Sequence, residues 1–367
     1  EDRVEVLAPV FAWSPGCLLR MTLCIDQLRA GQVNLDFAPS EAAPDSGPLQ
    51  LPSLQLPVAI ELGEVQVGQL HLDGSEQLSQ LQLAAHWTAQ GLQIDSLNLQ
   101  REDLSLNLSG LLQPVGDWPL QLQGQVQLPA IDDQPWQLAV QIKGDLQKSL
   151  DLQADSSGYL QGRLAGQLQP LAEHLPAQVR LSATGFKPSA GLPDTLQFEQ
   201  LELSAYGDLA KGYQLVGAGR LPAEQGPISL SLRGRVDAKG AQIAALDLSA
   251  AAQQRVTLSA TADWQSGLVA DASIDWLDFP WLRLYPLDEA PQVTLRRLNA
   301  KVNYRDGNYQ GDFSGDLDGP AGAFKVSSPF KGDLGQVSLP QLALEAGQGK
   351  VAGSVAVQFA EGVAWDA

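Results

Sequence analysis

Residues 118–129, WPLQLQGQVQLP, carry an apolar residue at every second position and glutamine at most positions between them. This period-two alternation predicts a β-strand with one apolar face and one polar face. The same alternation recurs at residues 58–74, 103–112, 136–146, 159–170, 228–238, 255–264 and 350–359. A chain that repeats the pattern over most of its length is predicted to be all-β.

Turn-forming residues separate the predicted strands at intervals that favour an antiparallel meander. The turn signals read LDGSE, ADSSG, DAKGA, YRDGNY and LDGPAG. Helical periodicity is nearly absent; its best example, residues 276–287, contains Pro280 and Pro286, which allow at most a short helical turn. We predict a long, twisted, mostly antiparallel sheet of roughly fifteen to twenty strands, with at most one or two short helices.

The composition does not change after the Pro-rich residues 38–57. Although a length of 367 residues would suit two or three domains, we therefore predict one continuous elongated β-structure over residues 1–367. Residues 1–57 form its cysteine-containing, Pro-rich N-terminal part, and residues 58–367 form the repeated hairpins. A sheet of this length cannot leave its apolar face in water, so it must curl, close into a barrel or stack on a second sheet.

Small residues interrupt the apolar rows of the predicted strands. They are Gly110, Gly124, Gly144, Gly162, Gly217, Gly234, Ala260, Ala262, Gly311 and Gly353. Each could mark a bulge or face a bulky partner such as Trp264 or Phe313, or it could leave space inside a folded sheet. Their repetition favours space, and hence a curled sheet whose groove has a hydrophobic interior.

The predicted groove is lined by apolar residues, most of them from the alternating segments. They are Leu104, Leu106, Leu108, Leu120, Leu122, Val126, Leu128, Val140, Ile142, Leu164, Leu230, Leu232, Val256, Leu258, Val302, Phe313, Val355 and Val357. The aromatic residues Trp276, Phe279 and Trp281 either gate or plug this groove or pack over an end of the sheet, and the sequence favours neither role.

The charge and the polar residues exclude several classes of function. A net charge of −19 opposes binding to nucleic acid. His71, His86 and His174 lie in separate segments with no motif around them, and we expect surface positions. The acidic clusters IDDQ and PLDEAP read as solvated turns, and neither DGN nor DGS completes a calcium loop. We therefore expect no catalytic site, no metal site and no cofactor.

Cys17 and Cys24 are the two cysteines of the chain. A straight strand would separate their Cα atoms by roughly 23 Å and a helix by roughly 10 Å, both too far for a disulfide. A bridge would therefore require a turn between them. Two reduced, buried cysteines that pack as small apolar residues remain the alternative.

Three segments resemble a known family: residues 13–37, WSPGCLLRMTLCIDQLRAGQVNLDF; residues 49–70, LQLPSLQLPVAIELGEVQVGQL; and residues 317–365, which contain SPFKGDL. They closely resemble the N-terminal and middle parts of the TamB family, the translocation and assembly module subunit, which is related to AsmA-like, bridge-like lipid transfer proteins. The cysteine pair and SPFKGDL are the most specific of these features. The family's N-terminal inner-membrane anchor and its C-terminal domain are missing, which predicts an internal periplasmic fragment.

The resemblance implies a U-shaped, taco-like β-sheet in the Gram-negative periplasm, with an apolar trough that carries phospholipids between the inner and outer membranes. The implied partners are phospholipids, the inner membrane through an N-terminal anchor, and the outer-membrane protein TamA through a C-terminal part. In that oxidising compartment the resemblance also implies a disulfide between Cys17 and Cys24. The alternative function is a scaffold or chaperone for the assembly of outer-membrane β-barrel proteins with TamA.

Overall fold

The structure is a computed structural model that describes residues 3–36, 51–72, 75–223, 225–347, 349–358 and 364–366. These residues contain 25 β-strands and three short 3₁₀ helices, Pro15–Arg20, Asp194–Leu196 and Trp281–Arg283. The predicted all-β fold is confirmed. The predicted numbers of strands and of short helices were both too low, because elements as short as Ser75–Leu78 leave little periodic signal in the sequence.

The chain divides into two compact units, Glu1–Ala183 and Thr184–Ala367. The first contains β1 (Arg3–Leu7), β2 (Val10–Ser14), β3 (Thr22–Asp36), β4 (Ala59–Leu72), β5 (Ser75–Leu78), β6 (Gln80–Thr88), β7 (Gly91–Arg101), β8 (Leu104–Leu112), β9 (Pro119–Ile131), β10 (Gln134–Asp145), β11 (Ser149–Gly158), β12 (Gln161–Leu168) and nearly all of β13 (Ala177–Thr184). The second contains β14 (Gln200–Asp208), β15 (Gly212–Leu221), β16 (Ile228–Val236), β17 (Gly240–Ala251), β18 (Gln254–Asp263), β19 (Val269–Leu277), β20 (Thr294–Arg305), β21 (Asn308–Gly319), β22 (Gly322–Gly332), β23 (Gln336–Ala346), β24 (Gly349–Gln358) and β25 (Ala364–Asp366). The continuity of residues 1–367 as one structure stays a prediction.

The sheet of the first unit begins around β3, which pairs antiparallel with both β1 and β2. On its other side β3 pairs with β4 in parallel, with Leu23 opposite Ile60. A two-residue hairpin cannot join parallel strands, so this pair departs from the predicted meander. From β4 onwards the strands β6 to β12 follow one another as antiparallel neighbours, and β5 pairs with the end of β4.

The sheet of the second unit is an antiparallel ladder in chain order. Each strand from β14 to β24 pairs with the next, and β25 pairs with β24. Short connections such as residues 306–307 and 320–321 join neighbours, as the YRDGNY and LDGPAG signals predict. Consecutive pairing brings each apolar alternation into register with the next.

The sequence located most of the strands correctly. The eight alternating segments coincide with β4, β8, β9, β10, β12, β16, β18 and β24. The turn predicted at ADSSG is wrong, because these residues belong to β11. Their polar groups are satisfied across the sheet: Trp136 Nε1 donates to Ser156 Oγ at 2.9 Å, and Arg163 Nε donates to Asp155 Oδ1 at 2.7 Å. Residues 73–74 of LDGSE and residues 37–50, which include most of the Pro-rich segment, lie outside the described residues.

Candidate functional site

Apolar side chains of the first unit line up in rows that cross the strands. One row runs from β7 to β12 through Leu97, Leu108, Gly124, Val140, Ala154 and Leu164. The row beside it runs through Ile94, Gly110, Leu122, Ile142, Leu152 and Gly166. Because alternate residues of a strand point to one face, the two rows lie on the same face of the sheet. They form a continuous apolar strip across six strands.

The second unit has rows of the same kind. The longest passes through Leu203, Gly217, Leu232, Leu246, Leu258, Ile274, Ala300 and Phe313. A parallel row passes through Leu201, Gly219, Leu230, Leu248, Val256, Trp276 and Leu298. Neither row contains an acidic or basic side chain, so this face is apolar across seven or more neighbouring strands.

The burial of these rows is incomplete. All eighteen residues predicted to line a groove are half-buried, whereas the intervening glutamines of β9 are exposed. Ile228 is the one large side chain below 2% exposure in the described residues. A second packed layer would bury such rows fully, so the side chains contact their neighbours in the sheet and stay partly accessible.

Some members of the same rows, including Leu97 and Leu246, were not among the predicted groove residues. Both follow irregularities in the ladder, between Ile94 and Leu97 and between Ile243 and Leu246. An extra residue at a bulge shifts the alternation by one position. The sequence does contain a signal for each bulge, because Ile94 and Leu97, like Ile243 and Leu246, are three positions apart instead of two.

Gly124 does not leave open space in its row. A Cβ built on it would overlap the backbone carbonyl oxygen of Asn107 in β8 and come within 2.7 Å of Leu108 Cδ2. Gly110 has a φ of +154°, and its Cβ would likewise meet the carbonyl oxygen of Gln121. The expectation that the small residue at position 124 leaves space inside the folded sheet is therefore wrong. The missing side chain allows neighbouring backbones to approach closely.

The aromatic segment after β19 packs at one end of the second sheet. Phe279 and Leu284 form a buried cluster with Leu221, the last residue of β15, and Ile228, the first residue of β16. The rings of Trp276 and Phe279 meet edge to face at 5.3 Å, and Trp281 packs against the same cluster. This segment thus closes the apolar core at the end of the β15–β16 hairpin. Its role as a gate or plug stays a prediction.

Charged groups gather on the opposite, polar face and in the turns. Arg163 and Asp155 pair between β12 and β11. In the turn between β16 and β17, the backbone N–H of Lys239 lowers the pKa of Asp237 by donating to its carboxylate. A cavity of about 940 Å³ in the second unit is lined mainly by polar-face residues such as Thr261, Asp271 and Lys301. It therefore does not coincide with the apolar rows.

The three histidines form no site. His86 Nδ1 lies 2.9 Å from Asp95 Oδ2 near the surface, and His174 is exposed. His71 is half-buried and its Nδ1 has no hydrogen-bond partner among the residues that the structure describes, so its predicted surface position is only partly correct. Within the described ranges, no group of three or more His, Cys, Asp or Glu residues is placed to hold a metal ion.

The two cysteines are joined in a disulfide. The 3₁₀ helix Pro15–Arg20 reverses the chain and Met21 takes a left-handed conformation, which brings the two Cα atoms to 5.9 Å. Both cysteines are buried. The turn that the spacing required is therefore present, and it places residues 18–21 at the tip of a closed loop.

Removing this disulfide with Cys17→Ser and Cys24→Ser together is expected to lower the free energy of unfolding of the first unit by about 2 to 3 kcal/mol, because the bridge restricts the unfolded chain. Urea unfolding of the variant and of the dithiothreitol-reduced parent measures the effect, and the two should agree. Thiol titration of protein isolated from an oxidising compartment should find no free thiol. Two titrating thiols would contradict the bridge.

No helix in the part of the chain that the structure describes is both long enough and apolar enough to cross a membrane. The family model for the N-terminal domain of TamB matches residues 45–279. Searches of curated proteins and of solved structures gave no match. The family match covers more than half of the 367 residues, and the chain therefore belongs to the TamB family.

Proposed function

We propose that the apolar rows hold phospholipid acyl chains, and that the chain is part of a periplasmic bridge that carries phospholipids between the inner and outer membranes. The observation that carries the proposal is the incomplete burial of continuous apolar rows in both units. Eighteen apolar residues on these strands remain half-buried. An exposed apolar surface of this extent is costly in water unless a ligand covers it.

The energetics favour a lipid as that ligand. Exposing an acyl chain to water costs about 0.8 kcal/mol of free energy per methylene. A lipid with two tails therefore faces a barrier of more than about 10 kcal/mol when it leaves a membrane for water. A surface of Leu, Val and Ile removes most of this barrier without any catalytic group. Strands lie about 4.8 Å apart, so a row across six strands is about 24 Å long and exceeds the roughly 15 Å depth of one lipid leaflet.

The absence of charge within the rows suits the same ligand. An acyl chain offers neither donor nor acceptor, so a polar group on its path would lose its hydration without compensation. The polar face keeps the ion pairs, for example between Arg163 and Asp155. Phospholipid headgroups would remain in water beside the rows. Such a surface lowers a barrier but supplies no direction, which must come from the membranes or from partners.

A second candidate function is a scaffold for the assembly of outer-membrane β-barrel proteins together with TamA. One observation favours it: among the described strands, β1 pairs with β3 alone, so its outer backbone edge is open. An open edge can pair with a strand of another chain. Among the described strands β2 also pairs with β3 alone and continues this edge. The two strands are five residues long each, a small surface compared with the apolar rows.

The test is the identity of what co-purifies with the chain. Protein isolated from the periplasm in a gentle buffer is extracted with organic solvent, and the extract is analysed by mass spectrometry. The expected result is phospholipid in at least stoichiometric amount. Bound peptide without lipid would instead favour the scaffold. A chain that carries neither, and takes up no labelled phospholipid from vesicles, would contradict the carrier.

A further inference from the structure

The disulfide-closed turn of residues 15–21 exposes large apolar side chains at its tip. Leu18 is 48% exposed, Leu19 93% and Met21 65%. These residues do not belong to the apolar rows, because they precede β3 and lie on a 3₁₀ turn. Isolated exposed leucines are common in proteins, but three within four residues form a compact apolar protrusion.

The turn is rigid. The Cys17–Cys24 disulfide closes it. Within the turn, the backbone N–H of Met21 donates to the carbonyl oxygen of Leu18 at 3.0 Å. From β4, the backbone N–H of Ala59 donates to the carbonyl oxygen of Met21 at 3.0 Å. The apolar side chains are thus held outwards and cannot fold back onto the sheet. A surface that is already ordered loses little conformational entropy on binding.

A cation lies within the protrusion. Arg20 stands between Leu19 and Met21, and in the described residues its one side-chain partner is the sulfur of Cys17 at 3.7 Å. Residues 3–36 contain three arginines and three acidic residues, in a chain whose net charge is −19. The adjacent strand β4 adds Glu61, opposite Cys24, and Glu64, which pairs with Arg29. Arg20 is the one charged side chain of residues 15–21 and is thus the group that the turn offers to an anionic surface.

We propose that the turn of residues 15–21 inserts into the interface of a phospholipid bilayer. Leu18, Leu19 and Met21 enter the upper acyl region, and the Arg20 guanidinium binds lipid phosphates. The alternation of apolar side chains and one guanidinium, which has no acidic partner among the described residues, matches the depth profile of the bilayer, where phosphates lie directly above acyl chains. The exposed Phe11 and Trp13 of β2 precede the turn, and Trp is a residue favoured at this depth.

The choice of a bilayer over a protein follows from the shape of the tip. The tip projects three neighbouring apolar side chains, of which Leu19 is 93% exposed, so a partner that covers all three must close around the tip from every side. A fluid lipid layer does so without a preformed pocket. The inference concerns the outer surface of the turn and does not depend on lipid occupancy of the apolar rows.

The experiment is flotation of the full chain with vesicles of phosphatidylcholine alone or with one quarter phosphatidylglycerol. The unchanged chain is expected to float with both and more strongly with the second. L19S together with M21S is expected to weaken binding to both by about tenfold or more, because two apolar side chains no longer leave water. R20Q is expected to weaken binding to the anionic vesicles by about fivefold. Its effect on vesicles of phosphatidylcholine alone should be smaller, because that lipid has a phosphate but no net charge.

L334S is the matched control, since Leu334 lies in a turn of the second unit and is 92% exposed. It should float as the unchanged chain does, and thermal unfolding should be the same for all variants. Binding that survives L19S with M21S, or that falls equally with L334S, would overturn the proposal, as would a complete lack of flotation. Self-association that depends on Leu19 in the absence of vesicles would assign the turn to a second copy instead. Phospholipid in the solvent extract of L19S with M21S would show that the apolar rows hold lipid whether or not the turn binds a bilayer.

Discussion

Substitution of Leu122 by arginine is expected to leave the first unit folded and to slow the proposed lipid transport strongly. Leu122 is half-buried in β9, with Gly110 and Ile142 as its cross-strand neighbours. The long arginine stem can follow the apolar face while the guanidinium reaches water. An acyl chain that passes the site would meet a charge that costs about 2.5 to 3.5 kcal/mol in hydrocarbon, which corresponds to roughly a hundredfold lower rate.

Two measurements separate this outcome from simple unfolding. The thermal midpoint of the purified variant should change by less than about 4 °C, and transport is followed in cells whose full-length protein carries the same substitution. Gln123→Arg is the matched control on the exposed face of β9 and should change neither quantity. If Leu122 instead belonged to a dry core, the arginine would cost several kcal/mol and transport would fall only as folded protein is lost. Leu106, Leu164, Leu230 and Leu258 offer equivalent positions.

The strands of this protein could be predicted from sequence because their alternation is a direct consequence of strand geometry. β8, β9 and β18 carry the period of two without interruption over most of their length, and each appears where the alternation lies. The parallel pairing of β3 with β4 could not be predicted in this way. Alternation fixes which face a side chain occupies, but it is the same for parallel and antiparallel neighbours.

The polar residues of β11 illustrate a second limit. The sequence ADSSG has the composition of a turn, since Asp, Ser and Gly hydrogen-bond locally and tolerate unusual backbone angles. In the structure Ser156 Oγ donates to the carbonyl oxygen of Leu160 at 2.7 Å and accepts from Trp136. Leu160 is close in sequence, whereas Trp136 lies across the sheet in β10. The composition of a segment indicates which hydrogen bonds its side chains are able to form. The pairing of the strands determines which partners, such as Trp136, are within reach.

The candidate site shows the same division between what sequence determines and what it leaves open. All eighteen predicted residues lie on strands and are half-buried. Sixteen of them come from the alternating segments, and Val302 and Phe313 lie outside those segments. The role of the interrupting glycines could not be decided from the sequence. A glycine can leave open space in a row, or it can allow a neighbouring backbone to approach closely, and both give the same sequence pattern. An added Cβ at Gly124 would meet the carbonyl oxygen of Asn107, whereas at Gly353 no atom of the described residues, other than the chain neighbours, lies within 4 Å of that position. Two glycines in similar patterns thus serve different purposes.

Replacing Gly124 by alanine is accordingly expected to destabilise the first unit by about 3 kcal/mol. The added Cβ would overlap the backbone carbonyl oxygen of Asn107, and backbone in the interior of a ladder cannot move aside as a side-chain rotamer can. Gly124→Leu should cost still more, since Leu108 Cδ2 lies within 2.7 Å of the same Cβ position. Urea unfolding of the purified variants gives both values.

Gly353→Ala is the matched control, because Gly353 also interrupts an apolar row, opposite Leu342, and its Cβ position is free of neighbours. Its free energy of unfolding should stay within about 0.5 kcal/mol of the parent. The contrast between the two alanine variants isolates close backbone approach from any general cost of adding a methyl group to an apolar row. If Gly124→Ala were as stable as Gly353→Ala, and Gly124→Leu slowed transport without loss of stability, Gly124 would be a spacer for a passing acyl chain after all.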